Sequence, residues 1–143
     1  MLTRPIATAV LATSLFTAAA ALAEGDLTRL PTELPALVLG SEQSDYAMSE
    51  NRYELETGKA YKLEIVSTGR KEYAIRAPEF FANIFLRKVE AGDMEIKAVS
   101  LTELEFEQEG EAELYFVPVK PGEYRFYSAG LEGKGMVGTF SVR

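Results

Sequence analysis

Between Tyr127 and Met136 the chain reads YSAGLEGKGM, a run that sets a serine hydroxyl, a carboxylate and a thioether close together, yet the 143-residue sequence contains no histidine and no cysteine. Catalysis of most kinds needs a nucleophile with a base, or a poised acid pair. There is no imidazole to act as the base, and Ser128 has no partner that the sequence identifies. The chain is therefore expected not to be an enzyme. A second chemistry-bearing stretch, ELEFEQEGEAELYF, carries a glutamate at every other position from Glu103 to Glu113. Its phase argues for a solvated strand face and against a cation site. Leu104 and Phe106 lie on one side, Glu103, Glu105 and Glu107 on the other, a turn is expected at Gly110, and Leu114 and Phe116 follow facing inward.

These residues must be held by strands. Short runs rich in β-branched and aromatic residues, separated by Gly, Asp, Asn or Pro, predict strands near 36–39, 53–55, 60–67, 72–76, 84–89, 95–99, 103–106, 111–117, 122–128 and 137–142. In AYKLEIV, Tyr61, Leu63 and Ile65 share one face and Lys62, Glu64 and Val66 the other; in EYRFYS, Tyr124 and Phe126 alternate with Arg125 and Tyr127. One face is buried and one is wet. Only residues 77–83 suit a helical turn. Many short strands with no helical repeat between them predict an all-β chain, an antiparallel Greek-key sandwich.

The first 23 residues read as a secretory signal peptide: Arg4 supplies positive charge, an apolar run extends from Ile6 to Leu22, and Ala21-Leu22-Ala23 is a cleavage-type triplet. Export to the periplasm is the expectation, with no membrane insertion after cleavage. Residues 24–143, about 120, suit one domain able to bury a core without disulfides. Cleavage removes one of the 15 basic residues and none of the 22 acidic ones, so the mature chain is more acidic than the net -7 of the whole. Nucleic acid is a poor partner for such a chain.

From Leu114 to Val142 the sequence LYFVPVKPGEYRFYSAGLEGKGMVGTFSV resembles the last two strands of a cupredoxin, the small copper-protein fold. In that family an apolar strand, a Pro-Gly turn and an aromatic strand lead to a cysteine, then a histidine three residues on and a methionine five beyond. Ser128, Leu131 and Met136 occupy the matching positions. Upstream, GKAYKLEIVSTGRKEYAIRAPEFF resembles the part that carries the first histidine; spacing from Gly69 matches it to Glu72, and strand phase with Tyr73 and Ile75 matches it to Lys71. The family's type 1 site uses two imidazoles, a thiolate and a weak axial thioether. Only the last remains, as Met136, so that centre is chemically excluded.

The resemblance leaves two readings open. In the first, Leu131 and Met136 close the end of the sandwich as a packed cap, Ser128 satisfies its hydroxyl on backbone, and the protein works by surface recognition as a binding or accessory module. In the second, the sequence is similar to the cupredoxin-like components that accompany bacterial iron permeases, which implies a re-tooled site in which Glu72, Glu132, Met136 and Met48 hold a copper or iron ion, with a membrane metal permease as partner. The adjacent rings Phe80 and Phe81 are read either as an exposed partner patch or as tucked over the sandwich edge.

Overall fold

A computed structural model describes residues 30–143; the proposed signal peptide lies outside the described residues. The chain forms two sheets packed face to face. In the first, β1 (Thr32–Glu33) and β2 (Leu37–Leu39) lie along the same edge of β4 (Tyr61–Thr68); β4 pairs with β9 (Glu109–Pro118), β9 with β6 (Ile84–Ala91), and β6 with β7 (Met94–Ile96). In the second, the order is β3 (Arg52–Leu55), β11 (Val137–Val142), β10 (Gly122–Ser128), β5 (Tyr73–Arg76), β8 (Leu104–Phe106).

Alternation sets the register. Along β4, Tyr61, Leu63 and Ile65 are buried and lie opposite Phe116, Leu114 and Ala112 of β9. Along β10, Tyr124, Phe126 and Ser128 are the buried positions, opposite Phe140, Gly138 and the loop that closes the hairpin. A Cβ on Gly138 would fall on the Phe126 ring and lie 2.7 Å from the Asn51 carbonyl, so glycine is what lets that ring lie flat against β11.

Three features differ from the expectations above. The sheets are not purely antiparallel: β1 and β2 run parallel to β4, and β3 runs parallel to β11. A parallel pair cannot be closed by a hairpin, so the chain crosses between sheets from β2 to β3 and back to β4. Secondly, the turn after the glutamate-rich segment falls at residues 107–108, with Gly110 already inside β9, and it carries the chain from one sheet to the other. Thirdly, the strand expected at 95–99 is Met94–Ile96, and Val99 is fully exposed.

The helical turn is present as α1 (Pro78–Phe81), with proline in the first turn, where its missing N–H costs nothing, and the Phe81 amide donating to the Ala77 carbonyl at 2.8 Å. Both rings point into the sandwich. Phe80 stacks on Phe140 with centroids 4.0 Å apart and meets Phe116 edge-on at 5.4 Å. The exposed-patch reading of Phe80 and Phe81 is therefore overturned: they are 1% and 4% exposed. Burial stabilises each by about 1.5–3 kcal/mol relative to leaving it in water.

Candidate functional site

The end of the sandwich where the resemblance placed ligands is built by the β10–β11 connection. Ser128 sits on the inward phase of β10, and its amide donates to the Met136 carbonyl at 3.0 Å, pinching the loop at its neck. Within the loop the Leu131 amide donates to the Ser128 carbonyl, and a short 3₁₀ turn (Glu132–Lys134) ends at Gly135, whose φ of 92° lies in the left-handed region that favours glycine. Met136 and Ser128 are wholly buried, while Leu131 and Met48 are half-buried and packed against the core.

The Ser128 hydroxyl departs from expectation. It finds no backbone acceptor; among the described residues its Oγ is buried without a hydrogen-bond partner. Such a group costs about 1–3 kcal/mol. The rest of this end is satisfied. The Tyr73 hydroxyl donates to the Asp45 carbonyl at 2.7 Å, and Arg70 lies 3.6 Å from the Asp45 carboxylate. Lys71 and Lys134 place their ammonium groups 5.5 and 5.4 Å from the centroid of the Tyr46 ring, within cation–π range.

Lys71 is half-buried, two residues before buried Tyr73, and turns to Tyr46, whereas Glu72 is exposed. Glu132 is half-buried at the start of the 3₁₀ turn. Glu72 and Met136 thus occupy different environments, one in water and one in the core. Among the described residues no group of three or more Asp, Glu, His or Cys side chains is placed to hold a metal ion. A buried thioether, an unpartnered hydroxyl, a leucine and an ammonium do not fit the nitrogen–thiolate requirement of type 1 copper.

Electrostatic perturbation lies elsewhere, at Arg52, Arg76 and Glu123 on the second sheet and in a cluster on the outer face of the first. Hydrogen bonds from Lys97 and then Lys88 hold the Glu95 carboxyl down at about 2. Burial, followed by the carboxylates of Glu113 and Glu90, pushes the Tyr115 phenol up, and Lys88 sits 4.4 Å above its ring. These are ion-pair ladders across β6, β7 and β9, and exposed ladders of this kind stabilise little.

One feature escaped the sequence reading. The ladder between β6 and β9 slips between Leu86 and Lys88, a β-bulge at Arg87. Its signal was the spacing of the inward residues Ile84, Leu86 and Val89, two and then three.

The architecture is that of the cupredoxin fold. A multicopper oxidase from Campylobacter jejuni, described as a metallo-oxidase, superposes with a TM-score of 0.55 at 11% identity, over 82% of this chain and 31% of its own. Another multicopper oxidase gives 0.58 at 12% identity, over 78% and 44%. A copper nitrite reductase from Nitrosomonas europaea gives 0.52 at 11%, over 66% and 33%. The chain thus spans less than half the length of each. No family model and no curated protein sequence matches it. Among the described residues no helix is long and apolar enough to cross a membrane.

Proposed function

We propose that this chain is an exported periplasmic binding or accessory module that retains the cupredoxin fold without a type 1 copper centre and acts by recognising a partner across its surface, not by catalysis. One observation carries the reading: the positions matched to the copper ligands are spent on packing. Met136 and Ser128 are wholly buried, Leu131 packs against the core, and Lys71 is turned onto the Tyr46 ring. A loop so closed serves the core, and the exposed surface is left to do the work.

The test is metal addition to the purified mature protein. With Cu(I), Cu(II), Fe(III) or Zn(II), calorimetry should show no saturable binding and the melting temperature should not move, whereas a bound ion would raise it by mass action. Tight binding abolished by Met136→Ala or Glu132→Ala would instead establish the re-tooled copper or iron site. The absence of any captured protein from a periplasmic extract, with metal binding also absent, would count equally against the recognition reading.

A further inference from the structure

Among the described residues, five of the six large apolar side chains that stay exposed lie along β6 and the segments beside it: Phe85 (49%), Met94, Ile96, Val99 (99%) and Val119, whose amide donates to the Asn83 carbonyl beside the start of β6. The edge strand β7 pairs with β6 only at Val89, Glu90 and Ala91. From Ile84 to Lys88, β6 is bonded to β9 on one side and among the described residues has no strand on the other. Residues 97–99 diverge from this open half-edge, and a groove of about 440 Å³ lies between them, lined by residues 84–87 and 97–99. An open sheet edge with apolar flanks is the geometry that accepts an added strand.

Charge narrows the occupant. In a chain of net -7 every charged residue lining this groove is a cation, Arg87 and Lys97. Lys97 is paired with Glu95 at 2.6 Å, but among the described residues no ion pair or hydrogen bond engages Arg87. The bulge turns Arg87 and Lys88 to the same outer face, leaving a free guanidinium beside the exposed Phe85 ring. Guanidinium groups favour carboxylates, which they hold through paired N–H donors.

We propose that the open half of β6 binds an extended segment of a partner protein as an added strand, apolar in alternate positions and carrying a carboxylate that meets Arg87. This rests on the recognition reading above and names its surface. The probe is a short capped peptide of alternating valine and threonine with one central glutamate, titrated into the isotope-labelled mature protein while backbone amide shifts are followed. Saturable shifts should be confined to 84–88 and 97–99. The same peptide with lysine for glutamate should bind about tenfold more weakly, and Arg87→Glu should reverse that preference. N-methylation of alternate peptide amides should abolish binding.

Equal binding of both peptides, or no saturable shift in the groove, overturns the proposal. So does a shift of these amides with protein concentration alone, accompanied by a dimeric mass, which would make a second copy the occupant. Metal-induced shifts around 128–136 in the same samples would sink the recognition reading instead, so the two failures are told apart.

Discussion

Replacing Ser128 by alanine should make the protein more stable. Its hydroxyl lies at zero exposure with no hydrogen-bond partner among the described residues, so the folded state bears a desolvation cost of about 1–3 kcal/mol that the unfolded chain, hydrated there, does not. Removing the oxygen leaves a void of roughly one heavy atom, worth about 0.5 kcal/mol against the change at the usual dependence on cavity volume. The net expectation is a gain of about 0.5–2.5 kcal/mol. For a domain of this size that raises the melting temperature by roughly 2–10 °C. Urea unfolding should show a higher midpoint at unchanged slope, because the surface exposed on unfolding is the same. A loss of about 1 kcal/mol or more would refute the reasoning, since only a hydroxyl engaged in the native state can be missed. It would redirect attention to whatever Ser128 and Met136 hold in common.

Phe80→Ala should cost about 3–5 kcal/mol by chemical denaturation, because its ring fills the space between Phe140 and Phe116, while Phe85→Ser at the half-exposed corner should stay within about 0.5 kcal/mol. Gly138→Ala should destabilise by about 1–3 kcal/mol and disturb the near-ultraviolet aromatic signal, as the new methyl meets both the Phe126 ring and the Asn51 carbonyl. In a carboxyl titration by NMR, Glu95 should remain ionised down to a midpoint of about 2, and Lys97→Ala should bring it back toward the ordinary range. Its folded value being depressed, its contribution is present above pH 4.5 and fades as pH falls toward 2, with the exposed geometry keeping the effect small.

The buried faces of β4 and β10 were legible because strict alternation declares which side is inward, and the same phase, set against the spacing that pointed to Glu72, singled out Lys71, which is half-buried where Glu72 is exposed. Local period says nothing about which strands meet, so the parallel pairs and the transfer of the chain from β8 to β9 between sheets were invisible. Phe80 and Phe81 sit in a single helical turn too short to show a periodicity, and their direction is decided by the gap between sheets that only the assembled fold creates. The failure of Ser128 to find an acceptor is likewise a matter of where neighbouring carbonyls end up pointing.

The parallel union of β3 with β11 carries a kinetic consequence. Arg52 lies opposite Thr139, and β3 joins the second sheet at its edge through β11 alone, so that edge closes only when residues 52–55 meet residues 139–142. Closing so long a loop is entropically slow, and chains dominated by such distant contacts reach the native state in milliseconds to seconds rather than microseconds. For the export proposed above, that delay would keep the chain unfolded long enough to thread through a translocation channel.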